Sequence, residues 1–287
     1  MTANTEPVPL PAASRVHTHI APPRRWISLQ LKLLWEYREL IYFFVWRELK
    51  VRYKQTIIGA GWAIIQPVLT MVIFSVFFGK LAKVPSGEVP YPIFSFTALV
   101  PWGYFTAVLT GTSASMLTNT HMIKKIYFPR LTIPLASTLA AGVDFLIQFA
   151  VLLGMIFAYE ITPTSNVVWL PLLLLLTIIT SMGVGLWLAI WNARFRDVRY
   201  AMGFLVQTWL FITPVAYPSS LIEDPLLLTL YGLNPMAGVV EGFRWALLGT
   251  GAAPTNMIFI SSLVALVIFI TGVYRFRRME NVFADIL

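Results

Sequence analysis

The chain has 287 residues, no cysteine, a formal net charge of +8, and 57% hydrophobic against 12% charged residues. With a mean hydropathy of +0.73 it lies far outside the soluble range and reads as an all-α polytopic membrane protein. The short alternating segments of a β-barrel are absent, thiol chemistry is excluded, and the surplus of positive charge is the kind membrane proteins gather in cytoplasmic loops rather than a mark of nucleic-acid binding.

Residues 1–27 are rich in Pro, Ala and Thr and lack the continuous apolar core of a signal peptide, so they read as a flexible cytoplasmic tail. Residues 28–56 follow as an amphipathic helix. At 100° per residue Lys32, Glu36, Glu39, Arg47, Lys50 and Lys54 fall on one stripe, and Leu33, Tyr37, Leu40, Ile41 and Phe44 on the other. Phe43 interrupts the polar stripe, while Glu48 and Arg52 form an i,i+4 pair toward the apolar side. Trp35, Tyr37 and Trp46 suit a helix lying in the membrane interface.

Residues 57–287 read as a transmembrane domain with six spans, at about 59–79, 92–117, 131–159, 167–191, 200–217 and 255–274. Between the fifth and sixth lies LLLTLYGLNPMAGVVEGFRWALLG, apolar but broken at Asn234-Pro235. As a seventh span it would bury Glu241 and Arg244 in lipid at about several kcal/mol each. Two short re-entrant or interfacial helices fit it better. With both termini inside, eighteen of the 21 Lys and Arg residues fall on cytoplasmic segments, and Lys80, Lys83 and Arg244 fall outside. A seventh span would move Arg275, Arg277 and Arg278 to the wrong side.

Chemical motifs are scarce. No G-x-x-x-x-G-K-[ST] run occurs, and GTGAAP at 249–254 lacks the lysine that a phosphate loop needs. His17, His19 and His121 form no metal-binding or nucleophile-activating pattern, so no metal, cofactor or catalytic residue is expected in this chain. Asp144 lies inside a span with Gln148 one turn later. It reads either as a proton-relay group or as a carboxyl bonded to a neighbouring helix. Two basic connections, NTHMIKKIYFPR (119–130) and WNARFRDVRY (191–200), face the cytoplasm. The first adds Met122, Ile123 and Tyr127 to its charge, the mixture a docking helix presents.

WRELKVRYKQTIIGAGWAIIQP, MIKKIYFPR, RFRDVRY and NPMAGVVEGFRWALLG together, spread over about residues 35–250, resemble the ABC-2 class of ABC-exporter permeases. Within that class the chain is most similar to permeases exporting O-antigen polysaccharide, then capsule and teichoic acid. The resemblance implies a homodimer in the bacterial inner membrane, paired with two copies of a separate ATPase that binds ATP and Mg. It also implies a lipid-linked polysaccharide substrate. Residues 33–54 would be the interface helix. Residues 119–130 would supply the coupling helix, with Met122, Ile123, Lys124 and Lys125 as ATPase contacts. Residues 226–249 would form two short periplasmic gate helices around Asn234, Pro235, Glu241 and Arg244.

On that footing Tyr91, Phe94, Trp102 and Phe105 on the second span, and Tyr200, Phe204, Gln207 and Phe211 on the fifth, are glycan-channel candidates. Rings offer flat faces to sugar C–H groups, and Gln207 can bond hydroxyls; ordinary helix packing is the plainer alternative. Arg47 and Arg52 are candidates for a lipid pyrophosphate, since guanidinium suits bidentate phosphate contact. The competing classes are a small-lipid or drug exporter, an ion-coupled transporter or flippase acting alone, and an integral membrane transferase. The second would carry several buried charges and internal repeats, and the third a catalytic constellation.

Overall fold

The computed structural model describes residues 31–54, 58–162, 164–249, 253–280 and 282–283. The expected tail 1–27 lies outside them, as do residues 28–30 and 55–56 of the expected interface helix. Among the described residues all regular structure is helical: α1 (Leu31–Glu36), α2 (Arg38–Tyr53), α3 (Trp62–Phe74), α4 (Tyr91–Thr118), α5 (Thr120–Lys125), α6 (Thr132–Ala158), α7 (Leu170–Arg194), α8 (Asp197–Ile212), α9 (Pro225–Tyr231), α10 (Pro235–Leu248) and α11 (Thr255–Met279). A 3₁₀ turn at Gly59–Gly61 and a π-helical stretch at Ser75–Leu81 extend α3 at both ends, and a 3₁₀ turn at Ser165–Trp169 precedes α7.

Five of these segments are long and apolar enough to cross a membrane: Gly59–Leu81, Tyr91–Thr118, Thr132–Ala158, Ser165–Arg194 and Thr255–Met279. The protein is therefore a multi-pass helical membrane protein. The expected fifth span is shorter than its apolar run, because α8 stops at Ile212. Pro214 pushes the residue before it out of the helical region, and Thr213 is extended with ψ 143°. The 16 residues of α8 reach about 24 Å at 1.5 Å per residue, and α8 is not among the five helices long enough to cross.

α4 occupies the centre. Of its most apolar stretch 78% is buried inside the protein, against 6% for the first span. It packs on α3, α6, α7, α8 and α10. Many of its hydroxyls and those of α6 and α7 turn back onto their own helices, as in Thr97 to the Ile93 carbonyl and Thr177 to the Leu173 carbonyl, both 2.8 Å. Lipid offers no competing partner, so these internal bonds satisfy the atoms that make them, while the buried hydroxyls of Thr112 and Ser113 have no partner among the described residues. A second cluster joins Phe44 of α2, Ile123 of α5, Phe128, and Phe276 of α11. It ties the α2–α5 corner to the end of the last helix.

α7 and α11 meet at two glycines. A Cβ on Gly183 would lie 2.9 Å from the backbone of Phe269, and one on Gly272 would lie 2.7 Å from the Gly183 carbonyl oxygen. Small residues allow this backbone approach, which stands in for the hydrophobic drive that lipid removes. Gly183→Leu is expected to lower the thermal midpoint of the detergent-solubilised protein, overpacking of this kind costing about 1–3 kcal/mol. Gly142→Ala, with nothing within 4 Å of the added carbon, should leave the midpoint unchanged or raise it. Size-exclusion profiles after graded heating measure both.

Candidate functional site

α3, α4, α6 and α8 border a cavity of about 640 Å³, closed at one end by Arg52 and Tyr53 of α2. The wall combines rings and polar groups: Trp62, Gln66 and Thr70 from α3, Trp102 from α4, and Asp144 and Gln148 from α6. Asp144 sits in an otherwise apolar helix, where an ionised carboxyl needs a partner inside the protein. Arg52 and Tyr53 each donate to one of its oxygens. Arg52 also donates to Glu48 at 3.3 Å, the expected i,i+4 pair, and Ser137 of α6 donates to the second Glu48 oxygen at 3.0 Å. Of the two sequence readings of Asp144, the bond to a neighbouring helix is the one observed. The Gln148 Oε1 is buried and has no hydrogen-bond partner.

This network orients α2. Lys32, Glu36, Glu39, Lys50 and Lys54 are exposed, Leu33, Tyr37, Leu40 and Ile41 are half-buried, and Phe44 is buried, as the helical plot requires. Trp35 is 71% exposed and Trp46 48%. Arg47 is half-buried, donating to the Asn119 side chain at the α4–α5 corner and stacking on the Phe44 ring at 5.0 Å.

The channel candidates separate into two groups. Tyr91, Phe94, Trp102 and Phe105 are core residues of the chain. Tyr91 donates to the Ala216 carbonyl at 2.6 Å, Phe94 lies beneath a guanidinium, and Phe105 packs edge-on against Trp209. Of these four only Trp102 lines the cavity. Tyr200 (82% exposed), Phe204 (76%), Gln207 and Phe211 instead form an open face on α8. Period alone gives both helices an aromatic face; burial depends on the central position of α4.

The proposed coupling segment is also divided. Ile123 is buried in the α2–α5–α11 cluster and anchors α5 from within, whereas Lys124, Lys125, Ile126 and Tyr127 are exposed and Met122 is half-buried. Arg130 went without a role in the sequence reading. Its guanidinium donates to the Ile123 carbonyl at 2.9 Å and the Ile126 carbonyl at 3.3 Å, closing the open end of α5. A cation shortly after a helix is the signal that points to such a cap. The Arg130 backbone N–H donates to Glu280 at 2.6 Å, and Glu280 pairs with Arg277 at 3.6 Å. Burial pulls the Arg130 pKa below its ordinary value, and the Glu280 charge pulls it back up.

At the other end of α4, Arg244 of α10 is 1% exposed. It donates to the carbonyls of Phe94 (3.4 Å), Tyr217 (3.3 Å) and Val215 (2.8 Å), pairs with Glu241 at 3.3 Å, and stacks 3.6 Å from the Phe94 ring centre. Glu241 in turn accepts from the Ser219 backbone at 2.8 Å. The non-helical turn after α8 is thus held by α10. Asn234 caps α10 by accepting from Met236 at 3.1 Å and from the Trp209 indole at 2.9 Å, with Pro235 at the first helical position. Burial and the Tyr217 hydroxyl push the Tyr231 pKa up. Among the described residues no His, Cys, Asp and Glu cluster could hold a metal.

Residues 39–248 match the family model described as ABC-2 type transporter. The chain is 29% identical to the O-antigen export system permease protein RfbA of Klebsiella pneumoniae over 243 residues, covering 84% of this chain and 92% of that protein. It is 29% identical to the protein of the same name in Myxococcus xanthus over 214 residues, 74% and 81% of the two chains. The polysialic acid transport protein KpsM of Escherichia coli is more distant, at 23% over 237 residues, 82% and 91%.

Removing Arg244 leaves Glu241 without its counter-charge and three carbonyls without a donor. Arg244→Ala is expected to cost about 3–5 kcal/mol, the range for breaking a buried pair. Glu241→Gln, which still accepts from Ser219, should cost less. Thermal midpoints of the purified variants measure the order.

Proposed function

The chain belongs to the ABC-2 type transporter family, and from that premise we propose that it is the membrane-spanning permease of an ATP-driven exporter of lipid-linked polysaccharide. The observation that supports the reading is similarity over most of the chain to permeases named for O-antigen export, covering 92% and 81% of two of them. ATP and Mg belong in a separate ATPase, two copies of which would serve a permease homodimer in the bacterial inner membrane. Six spans with both termini cytoplasmic fit the five long helices plus α8, whose short helix is completed by the turn at 213–218. α2 then lies along the inner membrane surface, and α9 and α10 enter from the outer side.

The exposed α8 face, with Tyr200, Phe204, Gln207 and Phe211, supplies the glycan path in the dimer, and the cavity beside it, with Trp102, forms a side wall. Rings stack on sugar C–H faces without demanding one sugar. ATPase contact falls to Met122, Lys124, Lys125, Ile126 and Tyr127, with Ile123 and Arg130 fixing the helix beneath them. For the lipid phosphate Arg47 is the better placed of the two candidates, because Arg52 is held by two carboxylates.

Deleting the gene should make lipid-linked glycan accumulate on the cytoplasmic side, read by lipid extraction and gel analysis. Unchanged levels of every such polymer would point to a small-molecule exporter. Lys124→Ala combined with Tyr127→Ala should lower recovery of the co-expressed ATPase on the tagged permease by about tenfold, equivalent to about 1.4 kcal/mol. Leu139→Ala, on the exposed side of α6, should leave that recovery unchanged.

A further inference from the structure

We propose that the α2 end of the cavity is a hydroxyl-binding subsite that admits uncharged sugar residues and rejects anionic ones. This rests on the polysaccharide reading above and narrows it to a substrate class. Among the described residues lining the cavity, Arg52 is the one cation and Asp144 the one carboxylate. Arg52 donates to Asp144 and to Glu48, so two carboxylates already face it. An arriving phosphate or sugar carboxylate meets no uncommitted cation. It is instead brought toward Asp144 in a partly dehydrated space, where like charges repel far more than in water.

A sugar diol meets the opposite situation. Carboxylate oxygens accept from its hydroxyls, and guanidinium N–H groups donate to its ring and hydroxyl oxygens. Gln148, one turn along α6 from Asp144, has a buried Oε1 that no protein donor satisfies. An unfilled buried acceptor is costly, and because Gln148 lines the cavity, a rotation of its amide would bring that oxygen to a bound hydroxyl and supply the missing donor. Trp62 and Trp102 border the same space and provide the flat apolar faces that sugar rings use. Donors, acceptors and rings thus converge in a cavity with no surplus positive charge.

The test uses the full-length permease in lipid nanodiscs, titrated with maltohexaose as the neutral probe and a sialic acid hexamer as the anionic one. Binding is read by tryptophan fluorescence. Saturable binding of maltohexaose is expected, with the sialic acid hexamer at least about tenfold weaker. Asp144→Asn with Glu48→Gln leaves Arg52 as an unmatched cation and should narrow the difference to less than about threefold by strengthening the anionic probe. Should that pair fail to give a monodisperse protein, Glu48→Gln alone keeps the Ser137 bond and should narrow it in part. Equal affinities in the wild type, a gap unmoved by neutralising the carboxylates, or no saturable binding of either probe each overturns the proposal. Glycan accumulation in the deletion strain together with any of those results leaves the permease standing and removes only the selectivity.

Discussion

A charge set among apolar helices must find its counter-charge inside the protein, and two arginines do so at different levels of the bundle. At one, beside the middle of α6, Arg52 joins Asp144 and Glu48, with Tyr53 and Ser137 completing the bonds. At the other, Arg244 joins Glu241 and three backbone carbonyls. Arg244, 1% exposed, is out of reach of water, whereas the Arg52 side chain is 33% exposed, so the Arg244 geometry is the more strongly determined of the two. The first fixes how α2 lies on α6. The second fixes a turn that has no helical hydrogen bonds of its own. The apolar helices could be packed in several ways at little cost in lipid, but these two polar centres admit far fewer.

The same logic connects the two faces of the membrane through α11. Its inner end holds Glu280, which accepts from the Arg130 backbone beside α5, and Phe276, which packs in the α2–α5 cluster. Further along, Ser261 donates to the carbonyls of Gly232 at 3.0 Å and Asn234 at 3.3 Å. These lie at the junction of α9 and α10. Gly238 lets α10 come close, since a Cβ there would be 2.6 Å from the Ser261 hydroxyl oxygen. The Gly183–Gly272 contact then clamps α11 to α7. α11 is thus held near both ends and packed closely on α7 between them, so a single long helix touches both the α5 corner and the α9–α10 junction.

Much of this was legible in the sequence because hydropathy and charge act over whole segments. The five long helices begin and end within a few residues of their expected bounds, and the break at Asn234-Pro235 is a capped helix start. The exposed stripe on α2 follows from its period. What was not legible depends on which segments meet. Asp144 and Arg52 are 92 residues apart, and each alone admits several partners. The period of α4 could not tell a pore-facing ring from a core ring, because α4 is enclosed on nearly every side. Ile123 reads as a docking residue beside two lysines, yet the helical turn points it inward. Arg130 offered a local signal, a cation just past a short helix, that a capping argument would have used.

The division of aromatic residues has a consequence for what the protomer needs. Tyr200, Phe204 and Phe211 on α8, and Leu69, Val72 and Phe77 on the first span, are all exposed. For the aliphatic face of the first span lipid is an adequate partner, so its exposure asks for nothing more. Gln207 lies on the α8 face beside Phe204 and Phe211, and an amide turned toward hydrocarbon has no partner there. Water, a glycan or a second protomer would satisfy it, and each of these requires the α8 face to line an enclosed polar space. In the homodimer proposed above, a second copy against this face would meet that demand.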